Sequence, residues 1–314
     1  MTRIAVLIPC YNEETAITRV VEDFRKALPG AAIYVYDNNS RDRTVEVAQA
    51  AGAIVRTETL QGKGNVVRRM FADIEADIYV LVDGDATYDA ASAPRMIKAL
   101  LDGPLDMVNG ARVTDIAKAY RPGHRFGNWL LTSMVAWIFG NRFHDMLSGY
   151  RVMSRRYVKS FPALASGFET ETELTVHALE LRMPTLEVST PYKDRPAGSV
   201  SKLSTFRDGF RILWTIIVLV KEERPMQFFS LLALFLALVS TGLTVPIVME
   251  YLQTGLVPRF PTLIFATGLL ILGFLSLTCG LVLDTVTRGR REMKRMRYLN
   301  IPVLDVKSGT GIPE

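Results

Sequence analysis

Short apolar runs alternate with helical apolar–polar patterns through the first hundred or so residues. Ile4–Ile8, Ile33–Tyr36, Ala53–Arg56, Ile78–Val82 and Met107–Asn109 are predicted strands. Thr15–Leu28, Thr44–Ala51, Asn65–Ile74 and Pro94–Leu101 are predicted helices between them. This rhythm predicts an α/β fold: a doubly wound, mostly parallel sheet with helices on both faces. In such sheets ligands bind beyond the carboxyl ends of the strands.

The pattern changes in the last third. Met226–Met249 and Phe260–Leu283 are each 24 residues without a charge. At about 1.5 Å per residue either one crosses a roughly 30 Å hydrocarbon core. Two buried core helices are the alternative, but soluble helices of this length carry a polar face. A short connection predicts a transmembrane hairpin. Lys221 and Arg224 precede it, and Arg288, Arg290, Arg291, Lys294, Arg295 and Arg297 follow it. Basic residues on both flanks place both termini and the α/β domain in the cytoplasm, at the cell (inner) membrane. The expected organisation is an α/β domain over 1–203, an interfacial helix over 204–225, spans over 226–249 and 260–283, and a basic tail over 284–314. The apolar start, Ile4–Ile8, is followed by Asn12, Glu13 and Glu14 and does not read as a signal peptide.

Composition narrows the function. The chain has 314 residues, 49% hydrophobic and 22% charged, so disorder is excluded. Two distant cysteines and three histidines exclude a disulfide framework and a zinc cluster. Up to Arg224 there are 29 basic and 27 acidic residues, which argues against nucleic acid as a partner. A homo-oligomeric state is left open.

The strand ends carry the candidate chemistry. Pro9-Cys10-Tyr11-Asn12-Glu13-Glu14 follows the first strand, and Asp37-Asn38-Asn39-Ser40-Arg41-Asp42-Arg43-Thr44 ends the second. Gln61-Gly62-Lys63-Gly64-Asn65 lies beyond the third, and Asp83-Gly84-Asp85 beyond the fourth. Taken singly, each is a turn or a helix cap. Four such ends on one sheet edge are more than accident.

These motifs, in this order and spacing, resemble the family 2 inverting glycosyltransferases of GT-A (Rossmann-like) fold. The resemblance implies that Pro9, Tyr11, Glu13 and Asp37 hold a nucleotide's base and ribose, with Lys63 in the donor set. It implies that Asp83 and Asp85 serve a divalent metal, Mg²⁺ or Mn²⁺, and the donor sugar. Carboxylate oxygens suit such ions, and a diphosphate becomes a good leaving group once its charge is neutralised. The second half is similar to the polyprenyl-phosphate branch, the dolichol-phosphate mannose and glucose synthases. That similarity rests on Gly110-Ala111-Arg112, Arg125-Phe126-Gly127-Asn128, Asp145-x-x-Ser148-Gly149-Tyr150-Arg151, Gly167-Phe168-Glu169-x-Glu171-x-Glu173 and Arg195-x-x-Gly198-Ser199-x-Ser201-Lys202.

A lipid phosphate is already an ionised nucleophile and needs cations and in-line positioning rather than a strong base. Arg125, Arg151, Arg195, Ser201 and Lys202 are therefore the candidate acceptor-phosphate residues, since arginine forks match phosphate oxygens. Arg112 and Asp145 join Asp83 and Asp85 as candidate catalytic residues. Glu169 and Glu173 share a helix face, and for Glu171 a solvated face and a site role stand equal. The expected activity is transfer of one hexose-type sugar from a nucleotide sugar, a UDP-sugar before GDP-mannose, to undecaprenyl or dolichyl phosphate. A processive polysaccharide synthase is the rival enzyme, disfavoured because no Gln-x-x-Arg-Trp motif occurs. A non-catalytic nucleotide-sugar-binding membrane protein is the rival of another class.

Overall fold

The computed structural model describes residues 2–113, 133, 143–163, 169–193, 214 and 217–303. Its sheet domain is built from β1 (Ile4–Cys10), α1 (Ile17–Ala27), β2 (Ala32–Asp37), α2 (Thr44–Ala50), β3 (Ile54–Thr57), α3 (Lys63–Asp73) and β4 (Ile78–Leu81). It continues with α4 (Ala93–Asp102), β5 (Met107–Val113), β6 (Arg151–Ser154), α5 (Arg155–Ser160), α6 (Thr170–Glu180) and β7 (Thr185–Pro191). Two long helices follow, α7 (Pro225–Thr254) and α8 (Phe260–Leu299).

The strands form one seven-stranded sheet in the order β3-β2-β1-β4-β6-β5-β7. Every neighbouring pair is parallel except those made by β6, which runs antiparallel to β4 and β5. The mostly parallel expectation therefore holds, with one reversed strand inside the sheet. The pattern of the first strand explains its two-sided burial. Val6, Ile8 and Cys10 join a core with Val20, Val21 and Phe24 of α1 and Met96 and Ile97 of α4. Ala5 and Leu7 point the other way and are equally buried.

Chain order reverses at β1, which pairs with β2 on one side and β4 on the other. A crevice belongs at that switch point. Register brings Cys10 beside Asp37 and Leu7 beside Leu81, so the loops after β1, β2 and β4 share one edge.

The hairpin unit spans Leu213–Met293. Its helices α7 and α8, of 30 and 40 residues, are long and apolar enough to cross a membrane. Leu231, Phe235, Leu238 and Phe274 lie exposed along them, as lipid-facing side chains do. Small residues let the two pass closely: a Cβ on Gly280 would meet Phe229 Cβ at 3.0 Å. Ser240 Oγ donates to the Ala266 carbonyl at 2.7 Å. The basic segment is helical as far as Leu299, the end of α8. Part of its charge is used internally, since Arg291 and Arg290 reach the Glu223 carboxylate at 3.0 and 3.5 Å. The described residues from Lys294 to Val303 belong to the sheet domain. The expected interfacial helix lies largely outside the described residues, although 217–223 are helical.

Candidate functional site

The loop after β1 and the loop after β2 are sewn together by side chains of the Asp37–Thr44 motif. Asn12 N donates to Ser40 Oγ and Glu13 N to Thr44 Oγ1, both at 2.8 Å. Arg41 N donates back to Asn12 Oδ1 at 2.8 Å. Asp42 accepts from Thr44 Oγ1 at 2.5 Å and from Glu14 N at 3.2 Å. Burial pushes the Asp42 carboxyl up, but these hydrogen bonds outweigh it and hold Asp42 below the usual carboxylate range. Asp37 ends β2, buried, with its carboxylate accepting from Ser40 N at 3.2 Å. Pro9, Tyr11 and Glu13, in and just after β1, are half-buried. The residues expected to read a nucleotide thus lie in and after β1 and at the end of β2, on one edge.

The third loop is tied to the second by Asn38, which the sequence pattern did not single out. Its buried amide donates to the Glu58 and Leu60 carbonyls, each at 2.8 Å, and its oxygen accepts from Gly62 N at 2.7 Å. Gly62 has φ 127°, a conformation closed to side-chain-bearing residues. The turn it makes starts α3 at Lys63 and brings the ammonium back to the sheet edge. Three further left-handed residues, Asn12 (φ 53°), Asn39 (φ 63°) and Ala86 (φ 58°), sit just past β1, β2 and β4. Pro104, Ala163 and Arg182 share the positive φ elsewhere in the domain, so the feature is not confined to this edge.

At that edge Lys63 Nζ donates to Asp83 Oδ1 and to Glu171 Oε1, each at 2.5 Å. Burial alone would push this ammonium down. The attraction of Asp83 and Glu171 outweighs it and holds Lys63 above its ordinary value. Glu171 is buried on α6, so the solvated-face alternative is overturned for it. Its Oε2 is buried with no hydrogen-bond partner among the described residues. The signal for it was the Glu169-x-Glu171-x-Glu173 run, but only the fold shows which of the three faces Lys63. Asp85 is buried, with Oδ1 accepting from Thr87 Oγ1 at 2.6 Å. Gly149 leaves Asp83 its room: a Cβ there would collide with the carboxylate. A cleft of about 550 Å³ opens beside Asp83, lined among others by Arg19, Asp23, Phe24, Tyr88 and Lys193. Its volume is in the range of small-molecule sites.

Arg112 and Asp145 are brought together, as a fork. Arg112 Nε and Nη2 each reach an Asp145 oxygen at 2.7 Å, and the pair is largely buried. Arg112 also lies over the Tyr192 ring at 5.6 Å. Arg151 departs from the expectation of an acceptor-phosphate residue. It is fully buried in β6 and donates to the carbonyls of Ser148, Met146 and Glu171 and to Thr175 Oγ1. Those bonds tie the Met146–Ser148 loop to α6 and leave the guanidinium facing the core. Arg125, Arg195, Ser201 and Lys202 lie outside the described residues.

Among the described residues no three His, Cys, Asp or Glu side chains cluster as a self-sufficient metal cage. Asp83 and Asp85 nevertheless form a hard, anionic oxygen pair, the donor type that Mg²⁺ and Mn²⁺ take when phosphates and waters fill the remaining positions. Glu171, buried, shares the Lys63 ammonium with Asp83, and its Oε2 has no hydrogen-bond partner among the described residues.

The profile of Glycosyl transferase family 2 matches residues 5–161. The chain is 32% identical over 303 residues to glycosyltransferase AglJ of Haloferax volcanii, covering 94% of this chain and 98% of that one. It is 30% identical over 221 residues to the dolichyl-phosphate hexose transferase of the same organism, covering 70% of this chain and 95% of the relative. Among solved structures, glucosyl-3-phosphoglycerate synthase from Mycobacterium tuberculosis, in complex with Mn²⁺, UDP-glucose and phosphoglyceric acid, matches with a TM-score of 0.58 at 23% identity. The match covers 69% of this chain and 79% of that one, and marks a shared fold.

Proposed function

Because this chain belongs to glycosyl transferase family 2, we propose that it transfers a single hexose-type sugar, with inversion, from a nucleotide sugar to a polyprenyl phosphate at the cytoplasmic membrane face. One observation carries this reading: a phosphate- and metal-suited edge of Asp37, Lys63, Asp83 and Asp85 in a chain with two apolar helices long enough to span a bilayer. The likeness to a dolichyl-phosphate hexose transferase supports the acceptor class. A UDP-sugar is favoured over GDP-mannose.

Pro9, Tyr11, Glu13 and Asp37 orient the nucleotide. Asp83 and Asp85 would hold Mg²⁺ or Mn²⁺, which when bound neutralises the leaving diphosphate. The Arg112–Asp145 fork fixes the carboxyl end of β5, and Arg151 positions the Met146–Ser148 loop behind the site. The acceptor phosphate, ionised already, attacks in line and needs cations to hold it beside the donor. Arg125, Arg195, Ser201 and Lys202 are assigned that task.

Incubating the purified protein with radiolabelled nucleotide sugars and undecaprenyl or dolichyl phosphate tests the function. Label in the lipid extract, dependent on one nucleotide sugar and the lipid, is expected; label in a water-soluble polymer would instead support a processive synthase. Sidedness is tested with a cysteine in place of Gly255, in the connection between α7 and α8. An impermeant reagent should label it in intact cells, and protection there would reverse the orientation.

A further inference from the structure

Lys63 sits on the oxygen that a metal ion would use. It donates to Asp83 Oδ1 and Glu171 Oε1, each at 2.5 Å. Lys63 brings the Asp83 and Glu171 carboxylates together, Asp85 follows Asp83 by two residues, and one oxygen of Glu171 is buried with no hydrogen-bond partner among the described residues. Left without a cation, these acids would repel one another when no donor is bound. An ammonium is a compact charge on a flexible four-carbon stem and changes partners by stem rotation. A divalent ion competes for the same carboxylate, and two cations crowded on one carboxylate repel.

We propose that Lys63 is an exchangeable internal counter-ion: it occupies Asp83 in the donor-free enzyme, yields that carboxylate to the divalent ion, and turns its ammonium to the donor's diphosphate. No covalent bond changes; one ion pair is traded for another. Glu171 is a positioning residue that tethers the ammonium through the exchange. The inference rests on the reading of Asp83 as a metal ligand.

The test is Mn²⁺ binding to the full chain in detergent without nucleotide, read from the electron paramagnetic resonance of the free ion. The double variant Lys63→Met/Glu171→Gln removes one positive and one negative charge, so the net charge of the corner is unchanged while Asp83 is vacated. Exchange predicts tenfold or more tighter Mn²⁺ binding than in the unaltered protein, and a smaller gap once UDP is added. If Lys63 instead holds Asp83 in place for the ion, the double variant binds Mn²⁺ more weakly; that result, or equal affinity, overturns the proposal. Glu171→Gln alone keeps shape and leaves the ammonium wholly on Asp83, so it serves if the double variant does not fold. At least threefold weaker nucleotide-free binding is expected of it, and unchanged affinity counts against exchange. Asp83→Asn separates the underlying reading: if it leaves Mn²⁺ affinity untouched, Asp83 is not a metal ligand.

Discussion

Two charged clusters stand at opposite edges of the same sheet. At the amino edge, Asp106 lies just before β5 with its carboxylate fully buried. Arg156 forks onto it, Ser154 Oγ donates at 2.8 Å, and the Tyr298 hydroxyl donates at 2.7 Å. The Arg156 guanidinium also covers the Tyr298 ring at 4.9 Å. Burial, reinforced by the Asp106 carboxylate, pushes the Tyr298 phenol above its ordinary range. At the carboxyl edge, one ammonium serves Asp83 and Glu171, Asp83 is 30% exposed, and a buried Glu171 oxygen has no partner among the described residues. The first cluster has a donor for each carboxylate oxygen and is structural. The second leaves one buried acceptor without a donor among the described residues, and Asp83 borders a cleft, which suits the ligand-binding role proposed for it.

Breaking the amino-edge cluster should give the largest effect. Asp106→Ala leaves the Arg156 charge without its carboxylate and removes a buried hub. Losing one partner of a buried pair costs about 3–5 kcal/mol. Thermal unfolding in detergent should show a fall of many degrees, with turnover per folded molecule little altered. A variant as stable as the parent would show that the cluster contributes nothing net.

The carboxyl-edge counterpart should behave in the opposite way. Asp85→Asn keeps shape and removes charge, so folding should hold. Turnover should drop at least 10²-fold, a barrier increase of about 3 kcal/mol. Near-parental, chelator-resistant activity would reduce the Asp83-Gly84-Asp85 run to a turn.

How far each edge was legible from sequence follows from the same contrast. Asp37, Ser40, Asp42 and Thr44 were visible because turn and capping chemistry has fixed local spacing. The first five strands were visible because their apolar runs are flanked by polar loops. β6 and β7 were not: β6 enters the sheet antiparallel after a long excursion, and nothing local in Arg151–Ser154 marks a strand. Arg151 shows the limit most sharply, since an arginine fork serves a ligand phosphate and a set of backbone carbonyls equally well. Only the placement of its side chain in the core decides between them. Asn38 and Glu171 were hidden because their partners lie 20 or more residues away in sequence.

A pH experiment sharpens the comparison, because a buried titratable group also lies near the structural side. His177 on α6 is buried, with Nε2 at 3.2 Å from Ser160 Oγ. Burial, then the charge of Lys294, push its imidazole down to about 3. In the unfolded chain it titrates near 6.5. Above that value both states are neutral and the histidine costs nothing. As pH falls the unfolded chain takes the proton first, so stability drops progressively down to about pH 3. The loss between pH 7 and pH 5 is about 2 kcal/mol. His177→Phe should remove that part of the acid sensitivity, and equal falls in melting temperature for variant and parent would contradict it.

The smallest effect isolates one donor of the saturated cluster. Tyr298→Phe keeps the ring under Arg156 and removes only the hydroxyl that donates to Asp106 Oδ2. Arg156 Nη2 still donates to that oxygen at 2.9 Å, so the carboxylate is not left bare. The expected loss is therefore the net worth of one hydrogen bond, about 1 kcal/mol, rather than that of an orphaned charge. Lys294 Nζ, one turn earlier on the same helix, independently holds Glu180 at 2.7 Å. The last turn of α8 thus keeps a second anchor on the sheet domain, and melting should shift by only a few degrees. A loss as large as that of Asp106→Ala would mean that Tyr298 seats the whole cluster, and that the end of α8 is required for the amino edge to form.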